Sequence, residues 1–328
     1  MSQQELINRI TTEHAGADGA EMVWAQLKEI GFADCRAAER SLRRLSGGSE
    51  QRAAFARFAP HLLQALASAG SPDRVLAAFE RFTHGVRSPQ ELYHFLAARP
   101  RAVEMLVRLF SGSQFLGEIL LRNPEYFEDL IHQRRLAQPK NYEKLCQEAR
   151  GMIDPLADPL DQMDALRRFQ RRELLRIGAC DLLDLFDLKT ATRQLSDLAD
   201  SLIRVCLEIS AARLGLCPDM LCVIGMGKLG GQELNYSSDI DFIFLAGEPG
   251  PEAARLGERL IDTLARVTTE GFLYRVDMRL RPWGKVGPLV SSPEGFAAYL
   301  SRHALQWEKQ ALLKARVVAG NRELGEEF

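Results

Sequence analysis

No run of about 18 apolar residues occurs anywhere in the chain, so nothing in it reads as a membrane-spanning helix. The opening residues, MSQQELINRI, lack the basic start and apolar stretch of a secretory signal. Cysteine is sparse: Cys35, Cys146, Cys180, Cys206, Cys217 and Cys222 are scattered, and only the last two lie close together. No histidine accompanies them at zinc-ligand spacing, which excludes a disulfide scaffold and a zinc knuckle and leaves ordinary reduced thiols. Neither sign of charge is in excess, with 42 Lys and Arg against 44 Asp and Glu for a net charge of −2. That balance argues against holding nucleic acid through a surplus of cations, although a local basic face stays open. Low-complexity tracts and internal repeats are also missing. The expectation is a soluble cytoplasmic protein with no membrane and no nucleic-acid partner.

What is present is globular. The chain is 46% hydrophobic and 26% charged, and its 328 residues suit two domains. Up to about residue 216 it reads as helices. In HLLQALASAG, RVLAAFERF, AVEMLVRLF and FLGEILLRN, apolar residues recur at three- and four-residue spacing, as one buried helical face requires. Breakers fall between them at Ser46-Gly47-Gly48-Ser49, Gly70-Ser71-Pro72-Asp73, Asn123-Pro124, Asp154-Pro155 and Asp158-Pro159. The last pair marks the expected boundary, between a helical domain over 1–158 and a second domain over 159–328. The second opens with the helical stretch DQMDALRRFQRRELLRIGACDLLDLF. Met163, Leu166, Leu174 and Ile177 share a face there, while Arg167, Arg168, Arg171, Arg172 and Arg176 crowd the others. These arginines read as a solvated basic face or as a docking surface for an acidic partner or phosphate.

At residue 221 the pattern changes. LCVI and DIDFIFL (239–245) are strand candidates, separated by a glycine-rich turn. PEAARLGERLIDTLARVTTEG predicts an amphipathic helix with Leu256, Leu260, Leu264 and Val267 in register and Gly271 as its stop. FLYRVDMRLR (272–281) alternates strictly and predicts a strand ending at Pro282. The final segment, PEGFAAYLSRHALQWEKQALLKARVV, reads as helix again. The sum is an α+β chain: a small mixed sheet with helices against it, preceded by a helical domain.

The turn GMGKLGG (225–231) spells G-x-G-x-x-G after a strand, yet only QELNYSS separates Gly231 from Asp239. That is too short for the crossover helix and acidic residue of a dinucleotide fold. A Walker A loop fails too, because Leu229 follows Lys228. What remains is a tight structural turn, or a turn whose backbone N–H groups face a phosphate. Asp239 and Asp241 then stand two apart on a strand, so both carboxylates project to one side while Ile240, Phe242 and Phe244 face the other. Ile243 and Leu245 continue the aspartate side as apolar, confining the charge to one strand end. Such a pair repels itself unless a cation compensates, and oxygen donors of this type suit Mg²⁺ or Mn²⁺. On 272–281 one face carries Phe272, Tyr274, Val276, Met278 and Leu280, and the other Arg275, Asp277, Arg279 and Arg281. Asp277 thus offers a third carboxylate among guanidiniums, the parts needed for two-metal phosphoryl or nucleotidyl transfer.

GMGKLGGQELNYSSDIDFIFL followed by FLYRVDMRLRPWGKVGPLV resembles the glutamine synthetase adenylyltransferase/adenylyl-removing enzyme family of the DNA polymerase β-like nucleotidyltransferase superfamily. SQFLGEILLRNPEYFEDL, LRRFQRRELLRIGACDL and WEKQALLKARVVAG are similar to that family as well. The resemblance implies a polymerase β-like catalytic domain, with Asp239, Asp241 and Asp277 as metal-binding catalytic residues. It implies that Gly230, Gly231 and Ser238 shape a phosphate turn, and that Lys228, Arg279 and Arg281 neutralise phosphate or nucleotide. Implied partners are glutamine synthetase, the PII signal protein, ATP or ADP, and phosphate. Family members carry two such domains with opposite activities. NYSSDID with YRVDMRLRPWG is more similar to the half that removes AMP from a tyrosine by phosphorolysis, and a single copy of the motifs implies one half of such an enzyme. The AMP-adding direction, a nucleotidyltransferase acting on nucleic acid and a non-catalytic regulatory module are the alternatives.

Overall fold

The computed structural model describes residues 2–12, 17–132 and 136–328. The chain packs as two units: one takes the chain up to Ala137 together with Gly178–Leu185, the other Gln138–Ile177 with Phe186–Phe328.

Among the described residues the first unit is helical: α1 (Gln3–Thr11), α2 (Ala17–Ile30), α3 (Cys35–Ser46), α4 (Ser49–Ala67), α5 (Pro72–Gly85), α6 (Pro89–Ala98), α7 (Pro100–Gly112), α8 (Gln114–Arg122) and α9 (Tyr126–His132). The breakers read from sequence up to Asn123-Pro124 fall at the ends of these helices, and Pro72, Pro89 and Pro100 each open one, where a missing N–H costs nothing. Ser88 and Ser113 cap α6 and α8 by accepting from Glu91 N and Leu116 N. Gly47 has φ +60°, and a Cβ there would lie 2.1 Å from Gln51 Oε1, so the α3–α4 turn needs glycine. The core is aromatic: Phe58 meets Phe55 and Tyr93 edge to face at 5.4 and 5.3 Å, and the Tyr93 hydroxyl donates to Leu45 O.

The second unit begins with α10 (Tyr142–Ile153), α11 (Pro159–Leu182, whose last residues belong to the first unit) and α12 (Leu188–Leu214). Then come β1 (Cys222–Gly225), the one-turn α13 (Gly227–Gly230), β2 (Ile240–Leu245), α14 (Pro251–Ala265), β3 (Val276–Asp277), β4 (Val290–Ser291), α15 (Pro293–Arg302), α16 (Gln306–Ala311), β5 (Arg316–Gly320) and α17 (Arg322–Glu327). The sheet runs β3-β2-β1-β5, with β4 beside the far end of β2. β1 is antiparallel to β2 and β5, whereas β3 and β4 run parallel to β2. Cys222, Ile224, Met226, Ile243, Leu245 and Phe296 form the core on one face. On the other, a Cβ on Gly257 would lie 2.9 Å from the Phe244 ring, so α14 seats directly on β2. Among the described residues no helix is long and apolar enough to cross a membrane.

Four expectations change. The strand over 272–281 is reduced to Val276–Asp277, and its alternation fails, with Phe272 42% exposed and Leu273 buried. The cause is local: Leu273 N and Tyr274 N both donate to Leu264 O, so this backbone closes the end of α14 instead of extending a ladder. α14 itself ends at Ala265, leaving Val267 exposed and Gly271 in a separate turn closed with Thr268. The closing helical segment gives way at Arg316 to β5, where β-branched Val317 pairs with Ile224 of β1 and Val318 falls at a bulge in the pairing. The basic helix is no solvated face: Arg167 and Arg176 are buried. Arg167 donates to Met163 O, Gly271 O, Thr263 O and Arg266 O, and Arg176 to Glu173 and Gln194.

Candidate functional site

Asp241 is the second residue of β2 and Asp277 the second of β3, and the parallel register sets them side by side. Asp239 lies just before β2. Sheet pairing thus brings the three sequence-picked carboxylates to one end of the sheet, where the apolar face ends. Gly227, at φ +53°, backs onto them: a Cβ there would lie 2.8 Å from Asp241 Oδ2, and the Met226 N–H donates to Asp241 O at 2.8 Å.

Two of the carboxylates are occupied. Asp239 accepts from Arg275 Nε at 2.5 Å, and Arg275 also holds Ser237 O. Asp277 accepts from the backbone N–H and Nε of Arg279, at 2.8 and 2.7 Å. The Asp241 side chain accepts no hydrogen bond from the described residues and is half-buried. Burial pushes its carboxyl up, and the negative charges of Asp277 and Asp239 push the same way against Arg279 and Lys228. Asp277 is shifted down, chiefly by its bond from Arg279. Among the described residues no three His, Cys, Asp or Glu side chains converge closely enough to hold a metal ion, because Asp239 turns to Arg275 and Asp277 to Arg279. The chemistry of the donors, though not their present orientation, suits a hard cation: three carboxylates stand at one sheet end, and Asp241 takes no hydrogen bond from the described residues.

The remaining sequence-picked residues divide. Lys228 is exposed and close enough for its charge to act on Asp241. The Gly230 N–H donates to Met226 O and the Gly231 N–H to Gly227 O, so both amides are used inside the turn. A Cβ on Gly230 would lie 2.0 Å from Lys314 O, so this glycine lets the chain before β5 close on the turn. Ser238 closes the loop before Asp239 through Asn235 Oδ1, at 2.7 Å. Arg281 is not brought to the carboxylates; it holds Met278 O and Lys285 O. Three residues escaped sequence reading. Lys314 pairs with Glu233 beside Gly231, and Arg316 joins Asp200 to the turn. The usable signal was ARVVAG, a β-branched run ending in glycine; read as a strand, it would have carried Lys314 and Arg316 to the sheet edge. For Asp200 the signal was a lone acid on the apolar side of α12.

These groups define a site of carboxylates and guanidiniums at the end of a small mixed sheet, a class suited to phosphate groups. The chain belongs to the glutamate-ammonia ligase adenylyltransferase family, whose model matches residues 103–328. It is 39% identical over 250 residues to the bifunctional glutamine synthetase adenylyltransferase/adenylyl-removing enzyme of Thioalkalivibrio sulfidiphilus, covering 69% of this chain and 25% of that protein. The proteins of the same name from Pseudomonas syringae pv. tomato and Neisseria meningitidis are 34% and 30% identical, covering 92% and 99% of this chain. The chain spans only 34% and 39% of those two relatives.

Proposed function

We propose that this chain is the adenylyl-removing half of such an enzyme, a nucleotidyltransferase that releases AMP from an adenylylated tyrosine of glutamine synthetase by phosphorolysis. The observation that carries the reading is the register pairing of Asp241 with Asp277 beside Asp239 and the Gly227 turn. A strand, a glycine turn and a second strand with Asp239 just before it and Asp241 on it support a polymerase β-like arrangement. Asp239, Asp241 and Asp277 would hold Mg²⁺ or Mn²⁺, which when bound supplies Lewis-acid polarisation of the adenylyl phosphate and offsets its charge.

In this reading a phosphate oxygen forms a bond to the adenylyl phosphorus in line with the tyrosine oxygen. The phosphorus–phenol bond breaks, the phenolate takes a proton, and ADP leaves. Arg279, with a 69% exposed side chain, and Lys228 are free to turn toward the two phosphates. Arg281 grips the backbone after Asp277 and keeps Arg279 at the rim. Gly230, Gly231 and Ser238 fix the turn. The NYSSDID element and the cations around Asp277 support removal over addition, because removal must seat a second anion. PII signal protein is the proposed regulator.

The test uses the chain with adenylylated glutamine synthetase, phosphate and Mg²⁺ or Mn²⁺, reading ADP release, and in parallel with unmodified glutamine synthetase and radiolabelled ATP. Phosphate-dependent ADP without label transfer is expected. Asp241→Asn should lower the rate by about a thousandfold, near 4 kcal/mol in the barrier. Label transfer without ADP release would reverse the direction, and a folded Asp241→Asn variant with more than about a tenth of the rate would remove the carboxylate from the chemistry.

A further inference from the structure

The glycine turn is held from behind by an ion pair remote in sequence, between a partly buried arginine and a buried aspartate. Arg316, at the start of β5, donates from Nη2 to Leu229 O at 3.0 Å and from Nε to Gly230 O at 3.3 Å. Its guanidinium meets Asp200 of α12 through both carboxylate oxygens, at 2.7 and 3.1 Å. The Asp200 side chain is 5% exposed. Leu229 and Gly230 end α13, and Arg316 adds to the turn's own backbone bonds there: Leu229 O accepts from the Gln232 N–H at 3.2 Å as well as from the guanidinium. Burial pushes the Asp200 carboxyl up to about 6 against the pull of Arg316, so the site retains a charged pair at a cost. The chain before β5 is pressed onto the same turn, where only glycine fits at 230 and Lys314 pairs with Glu233. A planar guanidinium can serve two carbonyls and a carboxylate at once; an ammonium cannot match that fork.

We propose that Arg316, oriented by Asp200, is a positioning residue that fixes the end of the glycine turn and thereby seats Gly227 and Lys228 against Asp241. It touches none of the reacting groups. The consequence for catalysis rests on the reading of the site as a nucleotidyltransferase; the structural consequence does not.

Two measurements separate them. Hydrogen exchange followed by mass spectrometry, on the whole chain, compares Arg316→Lys and Asp200→Asn with wild type in peptides covering 226–233 and, as reference, 251–265. Both variants keep the volume of the site, and Arg316→Lys keeps the charge pair as well, so at least one is expected to fold. The turn peptides should exchange on the order of tenfold faster or more, as local opening becomes easier, with the reference peptides unmoved. Arg193→Gln, which removes a 59% exposed charge on the same helix, should leave both unmoved. Unchanged exchange in 226–233 in a folded variant overturns the proposal whatever the activity. Phosphorolysis should then show kcat reduced about tenfold to a hundredfold with KM for adenylylated glutamine synthetase held, as misplacement by a fraction of an ångström does. Faster turn exchange with kcat unchanged overturns the positioning role. Faster exchange in a wild-type background that lacks transferase activity in both directions instead sinks the functional reading and leaves Arg316 as the clamp of the turn.

Discussion

Arg279 and Arg281 are two residues apart on one segment and do different work. Arg279 is 69% exposed and, among the described residues, bound only to Asp277, whereas Arg281 is half-buried and spans two carbonyls of its own loop. An exposed pair contributes about 0–1 kcal/mol to stability, while the two loop hydrogen bonds of Arg281, one part-buried to Met278 O and one exposed to Lys285 O, contribute about 1–2 kcal/mol together. Arg279→Ala is therefore expected to keep its melting temperature and lose phosphate use, seen as a raised KM for phosphate. Arg281→Ala should melt several degrees lower and lose activity only in proportion to the loop it loosens. Equal effects of the two on stability would show that the hydrogen bonds of Arg281 carry no weight. Sequence spacing could place both arginines near Asp277 but could not tell them apart, because the partner of each is set by the bend that follows the short β3.

At the scale of elements, the sequence disclosed most where the signal was local. Breakers set the helix ends of the first unit, and the D-x-D spacing marked the open end of β2. It disclosed least where distant backbone decides. Residues 272–275 alternate like a strand, yet the Leu273 and Tyr274 amides are drawn to the end of α14, and no local pattern encodes that competition. Arg167 is the other side of the same event. Helical spacing put it on a polar face, but its guanidinium is the cap that the end of α14 lacks, 96 to 104 residues away. Burial lowers its basicity, and its charge is compensated by carbonyl dipoles rather than a bonded carboxylate. Replacing it with Met keeps the bulk and removes the bonds to Thr263 O and Arg266 O, while Gly271 O keeps its bonds from Thr268, so Arg167→Met should cost about 3 kcal/mol in urea unfolding, at the upper end for unsatisfied buried groups. Arg167→Lys should recover a minor part, since an ammonium lacks the fork. A Met variant as stable as wild type would mean that water or a shifted loop satisfies the end of α14 equally well.

At the scale of the whole molecule, the six cysteines divide between the two units and differ sharply in access. Cys35 and Cys180 lie in the first, and Cys146, Cys206, Cys217 and Cys222 in the second. Cys217 is exposed, Cys35 is partly covered, and the other four are buried. The thiolate is the reactive form, and burial opposes it: Cys206 and Cys222 are pushed up to about 12, and Cys146 is raised as well. Near pH 8 a disulfide-exchange reagent should therefore label Cys217 in a fast phase and Cys35 more slowly, and the remaining four only when the chain opens. Mass-resolved labelling across a urea series would then report Cys180 for the first unit and Cys206 with Cys222 for the second. Cys222 is the most telling of these, because it sits on β1 with its Sγ against α17, where a Cβ on Gly325 would lie 2.6 Å away. Its protection measures whether the sheet that carries Asp241 is closed. Prompt native labelling of Cys222, seen in its own peptide, would contradict the packing of β1 and with it the placement of the carboxylates at the sheet end.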